Sequence, residues 1–173
     1  MTDVEKRIEE MGIALPDSPQ PIANYVPAVQ TGNLLFVAGL GPAAREDGTT
    51  PNGKVGKDLT LDEGYEAARL VGINLLARLK STLGDLDRVE RIVKLLSMVN
   101  CTPEFNQQPQ VANGCSDLLV EVFGEKGRHA RSAWECRLYP MTFLSRSRWW
   151  WKYGTRMWLA RVFYISSTLE CRI

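Results

Sequence analysis

The spacing of apolar positions along this chain changes several times, and each change marks an element. Val4, Ile8 and Met11 recur at helical steps and Gly12 follows as a stop, which predicts a short helix over residues 3–11. Pro16, Pro19 and Pro21 then exclude regular structure. Two extended runs, Tyr25 to Gln30 and Leu34 to Ala38, flank Thr31-Gly32-Asn33, the residue types a tight connection needs, so a β-hairpin is predicted. Gly39, Gly41 and Pro42 end it. A polar loop from Glu46 to Gly53 leads to a short strand near Val55.

Helical period returns at Thr60-Leu61-Asp62-Glu63, a capping box in which the Thr hydroxyl and the Glu carboxylate satisfy each other's backbone amides. Ala68, Val71, Leu75 and Leu79 form one stripe behind it, and Gly84 stands where a left-handed residue closes a helix. Val89 to Val99 is rich in β-branched and aliphatic residues and predicts a buried strand. Asn106 to Phe123 repeats the helical stripe through Val111, Cys115, Leu118 and Val122, Gly124 closes it, and a further strand is expected near His129. This order predicts an α/β (α+β) domain of two layers, with helices packed on one face of a mixed β-sheet.

After Ser132 the periodicity stops. Trp149-Trp150-Trp151 places large apolar groups on successive residues, which a strand would point to both faces. Charge breaks at the same place: residues 1–133 hold 14 basic and 18 acidic side chains, whereas residues 134–173 hold 7 and 2, together with all five Trp. The chain is therefore divided into a domain over 1–133 and an aberrant Trp- and Arg-rich tail over 134–173. The net charge of +1 predicts neither a nucleic-acid partner nor an anionic membrane surface, and Arg146, Arg148, Lys152, Arg156 and Arg161 interrupt any membrane span. The charged first ten residues carry no signal-peptide pattern, so a cytoplasmic protein is expected. Cys101, Cys115, Cys136 and Cys171 show no C-x-x-C spacing and His129 is the single histidine, so no metal site is expected and free thiols are.

The run Asn24-Tyr25-Val26-Pro27-Ala28-Val29, then Gly32-Asn33-Leu34-Leu35-Phe36-Val37-Ala38-Gly39, resembles the opening hairpin of the Rid family, also called YjgF-like or L-PSP endoribonuclease-like. Gly84-Asp85-Leu86-Asp87-Arg88-Val89 and His129-Ala130-Arg131-Ser132-Ala133 continue the likeness in the same order. The resemblance implies a chorismate-mutase-like fold and a homotrimer with sites between subunits. It implies hydrolysis of reactive imines and enamines of the 2-aminoacrylate type to 2-oxo acids and ammonia, with no cofactor. The partner is then a small-molecule carboxylate. Arg131 matches the family's carboxylate-binding arginine, a role its planar fork suits. Tyr25 and Gly39 match positions that shape the cleft, although Tyr25 equally suits hairpin packing. Ala133 stands where deaminating relatives often carry Cys, so thiol chemistry is not expected. A lone His129 is more often structural or exposed than catalytic.

Relatives continue after Ala-Arg-Ser-Ala with a pattern close to V-G-V-x-x-L-P-x-D-I-P-V-E-V-E-x-V-V-E-V. Back-translated and shifted by one base, Trp134-Glu135-Cys136 admits Val-Gly-Val, and Leu138 to Leu144 admits Leu-Pro-x-Asp-Ile-Pro-Val, its Asp fixed by the single Met codon. Ser145 to Tyr153 admits Glu-Val-Glu-Val-Val-Val-Glu-Val, with two Val and a Glu fixed by Trp and Lys codons. The tail thus reads as a frameshift after Ala133 that removes the last strand and its Glu. A chain without them is expected to fold poorly and deaminate weakly or not at all, since unpaired strand groups compete with a domain stability of about 5–15 kcal/mol. A genuine extension with a basic, apolar face is the alternative for the tail. For the function, a non-catalytic ligand-binding or chaperone-like trimer is one alternative. An RNA-cleaving enzyme is the other, ranked last because no basic patch precedes Ala133 and no His pair exists for acid–base work.

Overall fold

The computed structural model describes residues 3–18, 20–21, 24–136 and the strand 163–167. The Trp149-Trp150-Trp151 run, Trp158, Cys171 and the rest of residues 137–162 and 168–173 lie outside the described residues.

Helix α1 (Asp3–Glu10) buries Ile8 in the core. Its first amides are capped from a distance: the Asp87 carboxylate accepts from the Asp3 and Val4 N–H groups at 3.0 Å each. Arg7 reaches the other way and donates from Nη1 to the Val122 carbonyl at 2.9 Å. Each contact satisfies a helix-end group that has no partner within its own helix.

Strands β1 (Ala28–Thr31) and β2 (Leu34–Val37) form the antiparallel hairpin, with Thr31 opposite Leu34 and Gly32-Asn33 as a two-residue turn. Gly32 has φ +55, the left-handed region that such turns require. The hairpin is shorter than the sequence predicts, because Pro27 has no N–H; its carbonyl still accepts from Ala38 at 2.9 Å, but the ladder starts at Ala28. The short strand expected near Val55 is reduced to isolated bridges from Val55 to Leu59 and to Cys101.

Helix α2 (Leu61–Leu83) opens with the capping box in full and ends at Gly84, φ +78, whose N–H donates to the Lys80 carbonyl at 2.8 Å. All four residues of its predicted stripe are buried. Strand β3 (Lys94–Val99) is shorter than the expected Val89–Val99. A 3-10 turn at Leu86–Arg88 precedes it, and residues 89–93 are fastened singly, Ile92 N–H to the Lys126 carbonyl and the Val93 carbonyl to Ala130 N–H. Leu95, Ser97 and Val99 of β3 are buried, and Lys94, Leu96 and Met98 on the opposite face are half-buried.

Helix α3 (Gln108–Phe123) starts with Pro109 in its first turn and buries Val111, Cys115, Leu118 and Val122. It lies against α2 so closely that a Cβ on Gly114 would meet the Tyr65 carbonyl. A second 3-10 turn, Gly124–Gly127, leads into β4 (Ala130–Glu135), which pairs in parallel with β3 and sets Arg131 opposite Leu95. β4 runs two residues past Ala133. β5 (Phe163–Ser167) takes the other edge of β3, also in parallel, and touches β2 and α2. β3 therefore has a neighbour on both edges, where the loss of a last strand was expected to leave one bare. The architecture is the expected mixed α+β one, with the core between the helices and one face of the β4-β3-β5 sheet.

Candidate functional site

Strand alternation decides which residues of β4 meet α3. Arg131 projects to the helix side, and Ser132 to the open side, where Lys94 Nζ donates to its hydroxyl at 2.8 Å. On the helix side, Arg131 Nη1 donates to Asn113 Oδ1 at 2.8 Å and to Ser116 Oγ at 3.0 Å. Asn113 and Ser116 are three residues apart on α3 and hence neighbours on one helix face. Both hydrogens of Nη1 are thereby engaged. The Nε–Nη2 edge keeps its three N–H donors unclaimed among the described residues.

His129 joins the same cluster. Its Nδ1 is 2.7 Å from the Gly127 carbonyl, and its Nε2 is 3.1 Å from Ser116 Oγ. A carbonyl only accepts, so Nδ1 carries the proton, the neutral ring leaves Nε2 as acceptor, and the Ser116 hydroxyl donates to it. Burial pushes the His129 pKa below its ordinary 6.5, and the nearby Arg131 and Lys94 charges add to this, while the Gly127 bond opposes it. Gly127 is buried, and a Cβ there would collide with the Leu119 carbonyl, so the turn that presents its own carbonyl to His129 is open only to glycine.

Tyr25 and Gly39 are elsewhere. Tyr25 is 43% exposed and lies near Arg78, a buried residue of α2. Gly39 is exposed beyond β2, in a connection pinned by Asn74 Nδ2 on the Gly41 carbonyl at 3.0 Å. The hairpin borders β5, whereas Arg131 is on β4 at the opposite edge of β3. The fold brings Arg131 together with Asn113, Ser116 and His129, and leaves Tyr25 and Gly39 in a separate group. A cavity of about 330 Å³ between the hairpin and the start of β3, lined by Leu34, Phe36, Leu79, Val89 and Ile92 among others, includes none of the three expected residues.

Asn113 and Ser116 escape a sequence reading because they flank the apolar stripe of α3 and carry no motif. His129 is half-buried with both ring nitrogens engaged, a constrained setting for a residue expected to be merely structural or exposed. Its place two residues before Arg131, on the same side of an extended segment, was the available signal. Cys115 is a buried free thiol, and no group of three metal-ligating side chains occurs among the described residues. No helix among them is long and apolar enough to cross a membrane.

Residues 5–148 match a family model described as "YjgF/chorismate_mutase-like, putative endoribonuclease". Protein TCP17 of Trypanosoma cruzi is 44% identical over 131 residues, 75% of this chain and 81% of that protein. A crystal structure of the Agrobacterium tumefaciens protein Atu1372, given there as of unknown function, superposes with a TM-score of 0.70 at 42% identity, over 79% of this chain and 84% of that one. A Shewanella oneidensis structure described as a putative endoribonuclease gives 0.74 at 34% identity, over 80% of this chain and 91% of that one.

Proposed function

We propose that this chain, which belongs to the YjgF/chorismate-mutase-like family, binds the carboxylate of a small imino or enamino acid at Arg131 and hydrolyses it to a 2-oxo acid and ammonia. The observation that carries this reading is the one-sided anchoring of Arg131: Asn113 and Ser116 hold Nη1 and leave the Nε–Nη2 edge for a ligand. That edge makes two parallel charged hydrogen bonds to a carboxylate. Water is the nucleophile, and the reaction needs no cofactor. RNA cleavage ranks lower. Attack by a 2′-hydroxyl calls for an acid and a base, and this cluster holds one imidazole, already bound to Ser116.

The test is ammonia release from freshly generated 2-aminoacrylate. Arg131→Met is expected to lower kcat/KM by about a hundredfold, the loss of a charged bidentate pair. Cleavage of RNA with no ammonia release would overturn the reading in favour of a nuclease.

The reading extends to a homotrimer acting in the cytoplasm, with each cleft completed by Tyr25 and Gly39 of a neighbouring copy. Its support is the separation of those residues from Arg131 within one chain, and the open sheet face, where Trp134 is 64% exposed. Sedimentation as a monomer at micromolar concentration would refute it. The tail belongs to the same proposal: a one-base shift after Ala133 separates the chain from a more active form. Resequencing the DNA across the Ala133 codon, and a higher ammonia rate from the frame-restored chain than from this one, are the expected results. An uninterrupted reading frame with equal rates would sink it.

A further inference from the structure

We infer that the cavity between the hairpin and the lead into β3 is a second binding site, for a medium-chain alkyl carboxylate whose tail fills the cavity and whose head pairs with Arg88.

The walls are hydrocarbon. Leu34 and Phe36 of β2, Leu79 and Leu83 of α2, and Val89 and Ile92 before β3 line a space of about 330 Å³. Small-molecule sites run from roughly 300 to 1,000 Å³. At roughly 30 Å³ for each water-sized group, the space takes a chain of about eight carbons with its head group. Two apolar side chains of the lining face water, Leu34 at 43% and Val93 at 50% exposure, and an alkyl tail removes that surface from solvent.

Charge selects the head group. Arg88, Arg91 and Lys94 line the cavity against one acid, Glu90. The four ion pairs among the described residues are made by other cations, Lys57, Arg69, Lys80 and Arg128. The rim is therefore positive, and it favours an anion over a cation. Of the three, Arg88 is held beside the wall: its Nη1 donates to the Leu83 carbonyl at 2.6 Å. Its remaining N–H groups have no acceptor among the described residues, which leaves an edge for two charged bonds to a carboxylate. Lys94 is turned to Ser132 Oγ at 2.8 Å and Arg91 is exposed, so these two contribute field rather than contact. Arg131 is not part of the lining, so this site fills independently of the one on β4.

Calorimetric titration of the full-length protein with octanoate, octylammonium and butyrate is the test. Octanoate is expected to saturate one site and to bind at least about tenfold tighter than octylammonium, which has the wrong charge, or butyrate, which has too short a tail. Arg88→Glu is expected to weaken octanoate about tenfold and remove its advantage over octylammonium, while Arg131→Met leaves its affinity unchanged. Leu34→Trp, at an exposed position of the lining, is expected to block octanoate by filling the cavity. Equal affinity for octanoate and octylammonium would overturn the assignment, and so would parental binding in both Arg88→Glu and Leu34→Trp. Octanoate binding that disappears with Arg131→Met would place the ligand on β4 and overturn it as well.

Discussion

Asn113 Oδ1 accepts from Arg131 Nη1 at 2.8 Å, so an amide on α3 aims the guanidinium of an edge strand. Asn113→Ala removes one of the two acceptors that fix this orientation. The expected result is a KM raised about tenfold with kcat little changed, since a hydrogen bond to a charged group contributes about 1.5–3 kcal/mol and part of it is recovered by water. Titration with a short aliphatic 2-oxo acid in a calorimeter checks the same loss without turnover.

Gly114 is where α2 and α3 come closest. Its missing side chain leaves room for the Tyr65 carbonyl, a backbone atom that cannot rotate away. Gly114→Ala must separate the helices and is expected to cost about 3 kcal/mol. A lower urea midpoint with an unchanged slope is the measurement.

The box that starts α2 titrates. Bonds from the Thr60 amide and hydroxyl hold the Glu63 carboxyl below its ordinary 4.5. Its folded value lies below its unfolded one, so its stabilisation is complete above about 4.5 and is lost as pH falls through the lowered folded value. Thr60→Ala is expected to lower the urea midpoint at pH 7, and the gap from the parent protein should narrow by pH 3. A gap that stays constant with pH would show that the reciprocal bond is not made.

Asp87 caps α1 from 84 residues away. Asp87→Ala leaves two amides without their acceptor and is expected to cost about 1 kcal/mol, a usual value for a helix cap. Hydrogen exchange should quicken in α1 and stay slow in α3, because Ile8 and Arg7 still hold the rest of the helix in place.

Most of the fold was readable from local pattern. The stripes of α2 and α3, the capping box, Gly84 and Gly32 all express physics that acts within a few residues, and the structure shows them where the pattern put them. Strand limits were less readable. Val89 to Val93 has strand composition, yet only Lys94 onward finds parallel neighbours, and pairing is decided by distant residues such as Ala130. Arg131 was singled out by its motif. Asn113 and Ser116 were not, because they meet Arg131 only once β4 has docked beside β3, and nothing in their own neighbourhood encodes that.

Arg131 stands opposite Leu95 in a parallel ladder, and His129 precedes it by two residues, a full period of an extended chain. The count of residues from Gly127 to Arg131 therefore works as a ruler. One residue inserted there would turn the guanidinium to the face of Lys94 and bring Ser132's side of the strand toward α3, with every residue type kept. What Arg131 meets depends on the parity of a short stretch of backbone as much as on which side chains it carries, so a single-codon insertion there is expected to break its bonds to Asn113 and Ser116, and with them the proposed activity, while leaving the helices intact.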